Sequence, residues 1–202
     1  MKFRMFNVKN VILSMILCGT TSFSFLYADN LKECESLEEK VQGCVLKTYY
    51  DNGNLEEETP YKNDKEEGTR RFYYKSGKLA SELSYRNGKR EGIAKKYFEN
   101  GNLWIEISFE NDSVKNARID YYESGDILAE IPYNADDNIN GIIKAYDKGK
   151  NLIWQANAQN GKLISGKCIS GKVMTNAHLM KLTSDINGFQ SDSHYWNSIC
   201  EK

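Results

Sequence analysis

Residues 49–61 read YYDNGNLEEETPY, and the same pattern returns as YYKSGKLASELSY (73–85), YFENGNLWIEISF (97–109) and YYESGDILAEIPY (121–133). Gly53, Gly77, Gly101, Gly125 and Gly149 stand 24 residues apart. A fixed period of roughly 20 to 50 residues marks a repeat architecture in which each unit buries its apolar face only against its neighbours. The residue before most of these glycines is Asn or Ser (Asn52, Ser76, Asn100, Ser124), a pair that tolerates positive φ and closes tight hairpins. A second turn follows in every unit, at Asn63-Asp64, Asn87-Gly88, Asn111-Asp112, Ala135-Asp136 and Asn160-Gly161. Each unit therefore reads as strand, tight turn, strand, looser turn.

The second strand of each unit alternates. Ile105, Ile107 and Phe109 share one face with Leu103, as Ala129, Ile131 and Tyr133 do with Ile127, which is the period of a half-buried strand. In the fifth unit the apolar set moves to Leu152, Trp154, Ala156 and Ala158, so one inserted residue is expected just after Gly149. The other face carries Glu58, Glu82, Glu106 and Glu130. Two-residue turns would place Lys47, Arg71 and Lys95 opposite the first three of these, fixing register more than adding stability. One carboxylate per unit is not the oxygen cluster that calcium needs, and no metal or cofactor is expected. The aromatic column Tyr49, Tyr73, Tyr97 and Tyr121, with Trp104, is the candidate binding surface. Its bland alternative is packing between units.

Outside the array, residues 1–28 combine Lys2, Arg4 and Lys9 with the apolar run VILSMILC and a small-residue end at Ala28, the layout of a secretory signal peptide. Cys18 offers a lipoprotein alternative, against which stands the bulky Leu17 before it. Without the leader the 27 basic residues fall to 24 against 28 acidic ones, a net charge of −4. That balance gives no footprint for nucleic acid and no general attraction to anionic lipid. Cys34, Cys44, Cys168 and Cys200 remain, an even set that in an exported chain reads as disulfides. The spacing favours Cys34–Cys44 and Cys168–Cys200, one staple at each end of the array. Residues 29–43 read as a short helix with Asn30 as a possible cap, and another is expected from Thr175-Asn176 through Leu182. No G-x-S-x-G, H-E-x-x-H or phosphate-loop pattern accompanies His178, His194 or Cys168, so an enzyme is not expected.

The unit G-x-x-x-x-Y-Y-x-N/S-G-x-L-x-x-E-x-x-Y-x-N-G resembles the bacterial variant of the MORN (membrane occupation and recognition nexus) repeat, which is also found in a family labelled as antitoxins. Residues 68–91 and 92–116 carry it most fully. Residues 43–67, 117–140 and 141–165 depart from it, Ala117 standing for the leading glycine and Ala145 for the first tyrosine. The resemblance implies an all-β fold: an elongated single-layer antiparallel sheet of about five tandem hairpins, acting as a binding or assembly module without catalysis. The expected organisation is a signal peptide (1–28), an N-terminal cap (29–42), the array (43–165) and a C-terminal cap (166–202), both caps being small, disulfide-stapled and partly helical. The expected role is an interaction scaffold for a protein or glycan in the periplasm or outside the cell. The alternatives are an antitoxin or immunity-like inhibitor of a toxin, and an envelope protein lying peripherally on the membrane.

Overall fold

The computed structural model describes residues 31–189 and 192–201; the expected signal peptide with its cleavage site, Cys18 and Asn30 lie outside them. A short helix, α1 (Leu37–Gln42), precedes the strands β1 (Cys44–Tyr49), β2 (Leu55–Lys62), β3 (Lys65–Glu66), β4 (Gly68–Tyr73), β5 (Leu79–Arg86) and β6 (Lys89–Arg90). The chain continues through β7 (Gly92–Tyr97), β8 (Leu103–Glu110), β9 (Ser113–Tyr121), β10 (Ile127–Pro132), β11 (Gly141–Tyr146), β12 (Leu152–Gln159) and β13 (Lys162–Cys168). It ends in α2 (Asn176–Asn187) and α3 (Ser193–Ser198). The strands form one open sheet in sequence order, with β3 and β6 as short returns on β2 and β5. The pairings are antiparallel throughout. The expected all-β repeat sheet is thus observed, with a disulfide at each terminus: Cys34–Cys44 and Cys168–Cys200.

The hairpins differ in detail from the two-residue turns expected. Tyr50 N–H donates to the Asn54 carbonyl and Gly53 N–H to the Tyr50 carbonyl, which encloses a three-residue loop with Gly53 at φ +83°. This is a turn followed by a left-handed residue, where glycine costs nothing. The register then slips by one between Thr48 and Tyr49, so the expected pairing of Lys47 with Glu58 still holds. Arg71 pairs with Glu82 and Lys95 with Glu106 in the same way. Between units, Asn63-Asp64, Asn87-Gly88, Asn111-Asp112 and Asn160-Gly161 all adopt positive φ at both residues, the geometry of a two-residue hairpin loop.

The fifth unit corrects the sequence reading. Tyr146, not Ala145, pairs with Leu152 and occupies the place of Tyr49, Tyr73, Tyr97 and Tyr121. Lys150, at φ +65°, takes the left-handed position of Gly53, and Gly149 sits one place earlier in the turn. The extra residue therefore lies upstream, in the loop between Tyr133 and Ile139 that replaces the usual two-residue turn. In the fourth unit Asn116 (φ +63°) holds the left-handed position of Gly68 and Gly92, while Ala117 is an ordinary strand residue opposite Pro132. Pro60 and Pro132 share a packing role: each ring lies where a Cβ on Gly68 or Gly141 would meet it, at 3.0 and 3.1 Å.

The core is uneven along the sheet. Trp154, Ile143, Ala145, Ile131 and Leu128 on one face of the last two hairpins are sealed by Leu179, Leu182 and Ile186 of α2 and by Trp196 of α3. We call this the cap face. Helix α2 runs five residues beyond Leu182 and starts on the expected cap, the Thr175 hydroxyl accepting from His178 N–H. At the other end, α1 is capped by Ser36, and the segment before it is extended, with Glu33 bridged to Val45 in parallel. That strand-like segment covers the edge of β1, where an open edge would invite pairing with another chain.

Candidate interaction face

On the outer face the tyrosine and glutamate columns prove to be one structure. Tyr73 Oη donates to Glu58 Oε1 at 2.7 Å, Tyr97 to Glu82 at 2.6 Å and Tyr146 to Glu130 at 3.0 Å, each bond joining one unit to the preceding one. The basic residues reach the same way. Arg71 pairs with Glu58 at 3.1 Å and Lys144 with Glu130 at 3.5 Å, so the ion pairs link neighbouring units rather than the two strands of one hairpin. Burial and the bond to Glu82 raise the Tyr97 phenol well above its ordinary pKa of 10.0. At the start of the ladder Tyr49 is exposed and donates to Glu33 of the N-terminal segment. Tyr121 is half-buried, and burial and the Glu106 charge raise its pKa also.

The neighbouring aromatic residues lie on the cap face and are equally committed. The hydroxyls of Tyr50, Tyr74 and Tyr122 donate to the carbonyls of Tyr73, Tyr97 and Tyr146 at 2.6, 2.5 and 2.6 Å. Tyr73 and Tyr74 thus fasten their unit on both faces, whereas Phe98 has no hydroxyl and Tyr97 bonds on the outer face alone. Of the candidate surface residues, Tyr73 and Tyr97 hold the ladder together, and Trp104 stands apart from both columns.

Trp104 lies in the extra position of the β8 bulge, on the cap face, stacked on Phe98 with centroids 5.4 Å apart. Lys96 Nζ sits 4.5 Å from its ring centroid. Burial lowers the Lys96 pKa, and repulsion from Arg118 adds to the effect. Beside these residues Phe72, Leu83, Ile107 and Phe109 line an open hollow of about 200 Å³, closed at one end by Phe189. Behind that end Arg118 and Asp120, both wholly buried, form a bidentate pair at 2.6 and 2.8 Å, and Arg118 also donates to the Ile186 carbonyl of α2. Sequence reasoning singled out neither Lys96 nor the Arg118–Asp120 pair. The alternation of the first strand in each unit was the available signal, since Lys96 and Asp120 occupy the place of Phe72 and Ala145.

Among the described residues no group of three or more His, Cys, Asp or Glu side chains is placed to hold a metal ion. No helix among them is long and apolar enough to cross a membrane. What this geometry defines is a tandem hairpin-repeat sheet, stapled at both ends and covered over part of one face.

Four segments, residues 45–63, 66–87, 90–111 and 117–135, match the family model described as MORN repeat variant. The match stops before the displaced fifth hairpin. No curated protein matches the chain. Among solved structures it is similar to a mutant of S. aureus TarM crystallised with Fondaparinux, alpha-GlcNAc-glycerol and UDP, at 10% identity and a TM-score of 0.25. That match covers 74% of this chain and 24% of the other, so the chain spans about a quarter of the length of the structure it matches. A likeness at that level carries no functional argument.

Proposed function

We propose that this chain is an exported, non-catalytic interaction scaffold of the bacterial envelope, which binds a protein or glycan partner through the part of the cap face that its own C-terminal cap leaves open. The observation that carries the reading is the unequal cover of that face. Over the last two hairpins it is sealed by α2 and α3, whereas over the first three Phe72, Leu83, Phe98 and Trp104 are only half-buried, beside the buried Ile105, Ile107 and Phe109. Apolar surface left open beside a sealed continuation of the same face is the usual signature of a binding surface. The two disulfides support an oxidising compartment, where such bonds form and persist. The leader-like residues 1–28 support export by the same route.

The test is site-specific photocrosslinking in the native cell, with the photoreactive residue placed at Trp104 on the cap face or at Lys95 on the outer face. A scaffold working as proposed gives one discrete adduct from position 104 and none from position 95. Adducts only from position 95, or from neither, contradict the reading. An adduct between this chain and a toxin encoded beside it would turn the scaffold into an inhibitor.

A further inference from the structure

On the open half of the cap face Lys96 is a cation without an ion-pair partner among the described residues. Arg70 is matched by Glu57 at 2.8 Å and by Glu66 at 3.1 Å. Arg118 is matched by Asp120 on both its oxygens. Lys96 has no carboxylate within ion-pair distance among the described residues: its contact is the Trp104 ring, and the nearby Asp120 is already engaged by Arg118. A half-buried ammonium at the rim of an apolar hollow loses hydration, and its contact with the Trp104 ring offsets only part of that cost. An anionic group brought by a ligand would remove that cost, and the surrounding Phe72, Ile107 and Phe109 would cover apolar atoms on either side of it.

The chain also shows what this face accepts. Over the fourth and fifth hairpins the same face is filled by an amphipathic helix, with Leu179, Leu182 and Ile186 of α2 directed into it. That helix stops at Asn187, and Phe189 lies at the end of the open hollow, so the empty part of the groove continues directly from the filled part.

We propose that the open half of the cap face binds an amphipathic segment of a partner protein carrying an acidic side chain among its apolar residues, with the acid pairing to Lys96 and the apolar residues filling the hollow between Phe72 and Phe109. This rests on the scaffold reading above and names its partner's chemistry. The lowered pKa of Lys96 agrees with it, since a desolvated ammonium gains most from a carboxylate. So does the ring stack of Phe98 and Trp104, which offers a rigid aromatic platform beside the charge.

A random twelve-residue peptide library displayed on phage, panned against the purified protein, tests the assignment. The expected binders carry Asp or Glu bracketed by apolar residues. They change the fluorescence of Trp104, because Trp154 and Trp196 are fully buried. Lys96→Gln weakens them at least tenfold, whereas Lys47→Gln, opposite Glu58 on the outer face of the first hairpin, leaves them unchanged; circular dichroism and thermal midpoint confirm that both variants fold. Lys96→Glu shifts the selected peptides toward Lys and Arg. Binders without an acid, or binders that ignore Lys96, overturn the assignment while leaving the scaffold reading intact. Overturning it equally are a library that yields no binder, binding confined to oleate micelles, and self-association of the protein through this face. Loss of the crosslink from position 104 in cells is a separate failure, that of the scaffold reading itself.

Discussion

At the scale of single residues, the repeated tyrosines are fasteners. Tyr73, Tyr97 and Tyr146 reach a glutamate of the preceding unit, and Tyr50, Tyr74 and Tyr122 a carbonyl of the next, so much of an exposed-looking aromatic column is spent on joining hairpins. Tyr97→Phe removes the 2.6 Å bond to Glu82 and should cost about 1 kcal/mol, a value for a half-buried hydrogen bond that urea unfolding would read. The pH dependence has a definite sign. The folded protein holds Tyr97 protonated to higher pH than the unfolded chain does, so its contribution is complete below the ordinary value of 10.0 and is lost as pH climbs above it. Stability of Tyr97→Phe should therefore fall less steeply than that of the parent in alkaline titration. The sequence showed both columns and their period, but it did not show that they meet. That contact crosses from one unit to the next and depends on a register between hairpins that no single repeat contains. Lys96 was hidden for a different reason, as one polar residue in a strand whose other positions vary between apolar and charged.

At the scale of elements, hairpin order, turn positions and strand alternation were legible, because each is set within about ten residues by glycine, asparagine and period-two patterning. The fifth hairpin was misaligned by one place. Gly149 preserves the 24-residue spacing, yet the fold follows Tyr146 and Lys150, and the insertion lies in the loop before β11. A glycine marks where positive φ is easy, not where it is required. The helix of the N-terminal cap was placed too early for a related reason: Ser36 offers a cap where the chain is free to turn, whereas the preceding residues are held straight against β1. Between elements the decisive contact is Arg118 of β9, which pairs with Asp120 and reaches the Ile186 carbonyl at 2.8 Å. Arg118→Met takes the guanidinium away from the wholly buried Asp120 carboxylate and should destabilise by about 3 to 5 kcal/mol in denaturant unfolding. Arg118→Met with Asp120→Leu should recover much of that loss, since the uncompensated charge is then gone.

At the scale of the whole molecule, the array is uniform in its joints and unequal in its cover. The last hairpins own a core sealed by α2 and α3, while the first three depend on neighbour contacts and on the Cys34–Cys44 end. The two staples were legible from their positions at the ends of the array. How far the C-terminal cap reaches along the sheet was not, because it rests on contacts such as Trp154 with Trp196 across 42 residues. The Cys168–Cys200 bond closes a separation of 32 residues. Replacing both cysteines with Ala should cost about 4 kcal/mol on the chain-entropy account. Hydrogen exchange should then rise first in α2 and α3, with the first three hairpins little changed, as expected where stability is passed between neighbours.

The account stands most directly on the state of the chain in its own cell: an exported sheet, stapled at both ends. The measurement that decides it is the intact mass of the protein recovered from its native envelope fraction, alkylated with and without prior reduction. The account predicts a chain that starts at Asp29, takes up no alkyl group until reduced, and then takes up four. A full-length chain beginning at Met1, alkylated at its cysteines without reduction, would contradict it.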